Sequence, residues 1–131
     1  MQGDDVGLIL EDDSARAGLI YQRLPDNVRS SIIWCQTVPE AIEVLENYKD
    51  RLRFVSLDHD LGGEKYQHVA REDCGSEVVR WLVKQNILDY KKCRFVVHSH
   101  NEHAGPRMVR KLREAGYTVK GLPFGETDSY Q

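Results

Sequence analysis

Three short apolar runs in this chain end abruptly in ionisable side chains, and that pattern constrains the fold more than any other feature. Val6 to Leu10 runs into Glu11, Asp12 and Asp13; residues 54–57 run into Asp58, His59 and Asp60; residues 94–97 run into His98, Ser99, His100 and Asn101. Continuous apolar runs of this length suit strands buried on both faces, which is how strands of a parallel sheet read.

The segments between these runs have helical character. Ala15, Leu19 and Leu24 recur at helical spacing after the first run, and Pro25, Asp26 and Asn27 predict a turn. Ile32, Ile33 and Trp34 read as a second strand, rich in β-branched and aromatic residues. Thr37 and Glu40 have the spacing of a capping box, with Pro39 in the first turn, and Ala41, Ile42, Leu45 and Tyr48 follow as an amphipathic helix. Residues 64–74 are polar and without period, and a loop of that length beside a site is often functional. Gly75 and Ser76 then open a helix carrying Val78, Val79, Trp81, Leu82 and Val83. Residues 104–115 predict a helix stopped by Gly116, and residues 118–122 a fifth strand before Pro123. Strands alternating with helices imply right-handed βαβ units and a doubly wound α/β fold, a mostly parallel sheet with helices on both faces. The 131 residues fit a single domain spanning 1–131.

The net charge of −3 comes from interspersed acids and bases, so bulk charge predicts no broad DNA binding, although a local basic face is compatible with it. Cys35, Cys74 and Cys93 form no Cys-x-x-Cys pair and read as reduced thiols of a cytoplasmic protein. No apolar run approaches the 18 or so residues of a membrane span.

In a parallel sheet the carboxyl ends of the first, third and fourth strands converge, and ligands bind there. Glu11, Asp12 and Asp13 would then face Asp58 and Asp60 across a crevice, with His98 to Asn101 alongside. Carboxylates within about 4–6 Å raise one another's pKa unless a cation offsets them, and oxygen-rich clusters suit Mg²⁺ or Mn²⁺. Singly, Asp13 and Asn101 also suit helix caps. Asp58 and Asp60 project to one side of an extended backbone and His59 to the other. His98 beside carboxylates suits proton transfer. With His100 it forms an HxH pair, but no cysteine or third histidine at ligand spacing completes a zinc set. His68 and His103 read as solvated. Arg16 and Arg107, early in their helices, suit a phosphate clamp. No Walker loop or dinucleotide fingerprint is present.

The runs Ile9-Leu10-Glu11-Asp12-Asp13 with Arg16, Ser56-Leu57-Asp58-His59-Asp60-Leu61-Gly62 and Val97-His98-Ser99-x-Asn101 resemble the cyclic-phosphate processing receiver domains. The likeness extends to Gly75, Gly105, Met108 and the Leu122-Pro123-Phe124 ending. It implies the flavodoxin-like strand order 2-1-3-4-5, here with the final helix absent because little chain remains for it. It assigns Asp12 and Asp13 to Mg²⁺ binding, Asp58 to the phosphoacceptor position and Ser99 to the hydroxyl that senses the phosphoryl group; in a phosphoesterase, Asp12, Asp13 and Asp58 would together hold the divalent ion. The chain departs from ordinary receivers at their Lys-Pro pair, since Gly121 and Leu122 separate Lys120 from Pro123. The resulting expectation is a metal-dependent phosphoesterase acting on a cyclic phosphate of a nucleotide or RNA end. Asp58, His98, Asp60 and His59 would be its catalytic group, with Ser99, Asn101 and Arg16 on the phosphate oxygens. The competing expectations are a signalling module phosphorylated at Asp58, a protein that sequesters a cyclic nucleotide, and a purely structural partner-binding domain.

Overall fold

The computed structural model describes residues 5–24, 26–61, 68, 70–85, 92–99 and 101–121. Ten elements follow in order: β1 (Val6–Leu10), α1 (Ser14–Arg23), α2 (Asp26–Arg29), β2 (Ile32–Cys35), α3 (Val38–Asn47), β3 (Leu52–Leu57), α4 (Gly75–Gln85), β4 (Arg94–Val97), α5 (Ala104–Glu114) and β5 (Thr118–Gly121). The strands form one parallel sheet in the order β2-β1-β3-β4-β5, as the resemblance implied. The expected absence of a final helix, like His100 and Leu122, lies outside the described residues. Among the described residues no helix is long and apolar enough to cross a membrane.

Alternation along the strands divides the core between the two faces of the sheet. Ile9, Phe54 and Val96 meet Ile20, Leu24 and Val28 on one face. Leu8, Leu10, Val55, Leu57, Phe95 and Val97 point the other way, into the larger core beneath α3, α4 and α5. Burial on both faces is why the central strands read as largely apolar runs, with Ser56 a polar exception.

Two local readings are corrected. The buried stripe of α1 is Ala17 and Ile20, continued by Leu24 at its carboxyl end, whereas Ala15 and Leu19 are exposed. Several apolar residues in ten allow more than one helical phase, and the sheet selects the one that fills the space over Ile9 and Phe54. The expected turn at Asp26 contains a single helical turn, α2, closed by the Arg29–Asp26 ion pair. At α3, Thr37 caps as expected: its Oγ1 accepts from the Glu40 N–H and donates to the Glu40 carboxylate.

Glycine is required where α4 begins. A Cβ on Gly75 would fall on the Asp58 carbonyl oxygen, so only glycine lets the helix start close against the end of β3. The Gly75 N–H donates to the His59 carbonyl at 2.8 Å and fastens that approach. Gly116, at φ 95°, ends the turn after α5 in the left-handed region.

Candidate functional site

The carboxyl ends of β1, β3 and β4 bring Glu11, Asp58 and His98 together, with donor atoms of all three within 4.8 Å of one another. Parallel pairing makes this unavoidable, because Leu10 lies opposite Leu57 and Leu57 opposite Val97, so the next residue of each strand enters one crevice. Their exposures are 0 % for Glu11, 6 % for Asp58 and 1 % for His98, which leaves Asp58 the member that solvent touches.

Glu11 is fully engaged. One oxygen lies 3.1 Å from His98 Nε2. The other accepts from Arg16 Nη2 and from the Asp13 N–H, each at 3.1 Å. Trp34, on the edge strand, donates its indole N–H to the Glu11 carbonyl at 2.6 Å and fixes the backbone there. Burial alone would raise the Glu11 pKa, but the hydrogen bond and charge of His98, the Asp13 N–H and Arg16 reverse that and hold it down at about 2. Asp58 goes the other way. Burial, helped by the charge of Glu11, pushes it up to about 7 against the pull of His98, the His59 N–H bond and Arg16. One carboxylate therefore holds the negative charge and the other resists taking it.

His98 bridges Glu11 to a third group, with Nδ1 2.6 Å from the Ser56 hydroxyl, itself buried on β3. An ionised Glu11 can only accept, which puts a proton on Nε2 and leaves Nδ1 facing the hydroxyl. The result is a buried Glu11–His98–Ser56 chain beside Asp58.

The remaining expected residues divide between bracing and capping. Asp12 pairs with Arg16 at 3.6 Å, and Arg16 thus spans two acids of the β1 end. Arg16 Nε is buried and finds no acceptor among the described residues. Asp13 is exposed and caps α1, accepting from the Arg16 N–H at 3.0 Å, so it is not among the three gathered donors. His59 is fully buried and turned toward α4, its Nδ1 2.9 Å from Ser76 Oγ and its Nε2 3.9 Å from Asp60. Its N–H donates to Asp58 Oδ1 at 2.8 Å. Asp60 accepts from Asn101 Nδ2 at 3.3 Å, while Asn101 Oδ1 accepts from the N–H groups of His103 and Ala104 and caps α5. Ser99 is buried and its hydroxyl accepts from the Asn101 N–H at 3.1 Å. Lys120 is exposed within β5, and His68 and His103 are exposed as expected.

Ser56 and Ser76 join the site although neither is among the candidate site residues of the sequence. Ser56 had a signal: it is the polar residue in an otherwise apolar stretch and lies two positions before Asp58, hence on the same side of the strand. Ser76 carried none beyond its position at a helix start.

A five-stranded parallel α/β domain with buried acids at the ends of β1 and β3 defines a receiver-like protein. The model of the family described as "Cyclic-phosphate processing Receiver domain" matches residues 7–114, and the chain belongs to that family. No curated protein matches it. Among solved structures it is similar to the signal receiver domain of a putative Luxo repressor protein from Vibrio parahaemolyticus, at 20% identity and a TM-score of 0.64, over 92% of this chain and 78% of that one. It is also similar to the Mn²⁺-bound form of response regulator Rcp1, at 22% identity and a TM-score of 0.57, over 91% and 80% of the two chains. A third likeness is to the complex of the CheA3 P1 domain with CheY6 from R. sphaeroides, at 15% identity and a TM-score of 0.52, over 96% and 88%. At these identities the structures show a shared fold.

Proposed function

We propose that this chain is a divalent-cation-dependent phosphoesterase that opens a cyclic phosphate carried by a nucleotide or an RNA end. The observation that carries this reading is the position of His98, 1 % exposed between Glu11 and Ser56 and beside Asp58. Accepting a phosphoryl group on an aspartate needs no proton-carrying imidazole. Ring opening does: a bond forms from phosphorus to a water oxygen, a bond from phosphorus to a sugar oxygen breaks, the water loses one proton and the sugar oxygen gains one. Both His98 nitrogens are engaged in the structure, Nε2 with Glu11 and Nδ1 with Ser56, so in this reading the ring gives and takes back that one proton by turning Nδ1 from the Ser56 hydroxyl to the substrate.

The donor set fits a cation. Glu11 and Asp58 offer carboxylate oxygens, and the resistance of Asp58 to ionisation is what a second buried anion shows before a positive charge joins it. Each His98 nitrogen has a single bonding direction and both are taken, whereas a carboxylate oxygen that accepts one hydrogen bond keeps a second lone pair, so we assign the cation to Glu11 and Asp58. Mn²⁺ or Mg²⁺ is the expected ion, and a Mn²⁺-bound response regulator among the fold neighbours supports it. Such a cation polarises a phosphoryl oxygen and lowers the pKa of water bound to it. Arg16, paired with Glu11 and Asp12, offers further positive charge to the nonbridging oxygens, and His59 and Asp60 brace Asp58 from behind.

The test is turnover of 2′,3′-cyclic nucleotides, cyclic mono- and dinucleotides and RNA with cyclic-phosphate ends in Mg²⁺, Mn²⁺ or EDTA, with Asp58→Asn as control. Metal-dependent product, lost in the variant, is the expected result. A stable acyl phosphate on Asp58 after acetyl phosphate, without turnover of any cyclic phosphate, would replace this reading by a signalling receiver; binding without product would make the protein a sequestering one.

A further inference from the structure

Between α4 and α5 runs a groove of about 560 Å³. Val79 and Met108 are buried at its base, and Arg80, Lys84, Arg107 and Lys111 are exposed along its sides. Among the described residues no carboxylate lines it. Arg80 is held by Glu77 and by the Arg71 carbonyl, but Lys84, Arg107 and Lys111 have no ion pair among the described residues. The neighbouring groove, between α3 and α4, has the opposite character: Glu43, Glu46, Glu72 and Glu77 line it and, among the described residues, no base does. In a chain of net charge −3, the α4/α5 groove is thus locally positive. Anions are directed there by local charge, against the average of the molecule.

Both helices that form the groove begin at the carboxyl-edge site. The start of α4 rests on the Asp58 carbonyl, and Ser76, which lines the groove, lies 2.9 Å from His59. The start of α5 is capped by Asn101, whose amide also reaches Asp60. From this mouth the cations follow each helix at four-residue intervals, Arg80 and Lys84 on one side and Arg107 and Lys111 on the other. Lys84 is eight residues beyond Ser76, about 12 Å at the α-helical rise. A single phosphate at the site is too short to reach it; a polymer with one charge per unit is not.

We infer that the α4/α5 groove holds the phosphate backbone of single-stranded RNA, so that the substrate is an RNA end rather than a free nucleotide. This rests on the phosphoesterase reading for what happens at the cyclic phosphate, but the groove's affinity for a strand stands apart from it. The apolar base suits bases and riboses, and phosphates meet cations on both sides. The described residues that line the groove offer cations and aliphatic side chains, which suit contacts to the backbone that are indifferent to sequence.

The experiment measures fluorescence anisotropy of a labelled hexauridylate ending in a 2′,3′-cyclic phosphate, in EDTA and across a range of salt. Uridine 2′,3′-cyclic phosphate and a hexaglutamate peptide serve as competitors. Wild type should bind the strand about tenfold more tightly than the mononucleotide at low salt, by the release of counterions from its phosphates. In Lys84→Gln/Lys111→Gln, whose changed side chains are exposed, that advantage should disappear and the salt slope should fall by about 1.4, about 0.7 for each cation lost. The Lys84→Arg/Lys111→Arg variant should keep both. Equal affinity for strand and mononucleotide, or a strand advantage unchanged in the glutamine variant, overturns the inference; so does hexaglutamate displacing the strand at equal concentration, which would make the groove an acidic-peptide site. Groove-dependent strand binding with no turnover leaves the inference standing and removes the phosphoesterase reading. Turnover of mononucleotides with no strand advantage does the reverse.

Discussion

At the scale of residues, Glu11 and Asp58 divide one problem between them. Two buried carboxylates with one histidine and one half-exposed arginine cannot both ionise cheaply, and Glu11, with more hydrogen bonds, takes the charge. The pH consequence has a definite sign. Asp58 has a folded pKa raised to about 7, so the stability it contributes is fully present below its unfolded pKa, about 3.9, and is lost as the pH rises through 7. Glu11, depressed to about 2, contributes stability that is present above about 4.3 and lost as the pH falls toward 2. In EDTA, wild type should therefore melt lower at pH 8.5 than at pH 6, and Asp58→Asn should remove most of that difference and melt several degrees higher than wild type at pH 8.5. The gain corresponds to about 2–4 kcal/mol. Mn²⁺ should raise the wild-type melting temperature more at pH 8.5 than at pH 6, where it must displace the Asp58 proton. Scanning calorimetry checks both, and an Asp58→Asn protein less stable than wild type at pH 8.5 would mean that Asp58 is not a strained acid. The sequence made Asp58 and His98 legible because each ends an apolar run. It did not separate Glu11 from Asp13: three consecutive acids read alike, and which enters the crevice depends on where β1 stops and on Asp13 being drawn off as the α1 cap.

At the scale of elements, the site is as precise as the two helix starts that press on it. Gly75→Ala would drive a methyl group into the Asp58 carbonyl, and because backbone cannot yield as a flexible side chain does, α4 must shift. Overpacking of this kind costs about 3 kcal/mol or more, with loss of cation affinity, since Asp58 and His59 move together. Gly18, inside α1, is the matched control. Nothing lies within 4 Å of an added Cβ, so Gly18→Ala should stabilise the protein by about 0.5–1 kcal/mol through helix propensity alone. Urea unfolding of the two variants gives both numbers, and two small effects of the same sign would show that the α4 start is plastic. The contrast also shows where element reading succeeds. The capping box of α3 and the glycine stop after α5 are local chemistry, and both stand where the sequence put them. The phase of α1 and the helical turn of α2 were set by packing against Ile9 and Phe54, which no local pattern contains.

At the scale of the molecule, the sheet order decides why the site lies where it does. β1 and β3 are each paired on both sides, whereas β2 and β5 are edges, so the crevice between the β1 and β3 ends stands on the most rigid part of the domain. That order was legible through resemblance; alternating strands and helices alone allow several orders. Binding a cation to Glu11 and Asp58 would join strand ends 47 residues apart in sequence, and its effect on local opening should follow the sheet rather than the chain. Hydrogen exchange in EDTA should show the amides of Leu8, Leu10, Val55 and Leu57 as the slowest, with those of β2 and β5 faster. On adding Mn²⁺, protection should rise at Glu11, Asp58 and His98, whose N–H groups donate to Cys35, Leu10 and Leu57, while Val119 in β5 changes little. Uniform slowing across all five strands would mean that the ion stabilises only against global unfolding. Slowing at Asp13 and the first turn of α1 without change at Asp58 would place the ion on Asp12 and Asp13 instead, and return the metal site to the assignment that the family resemblance implied.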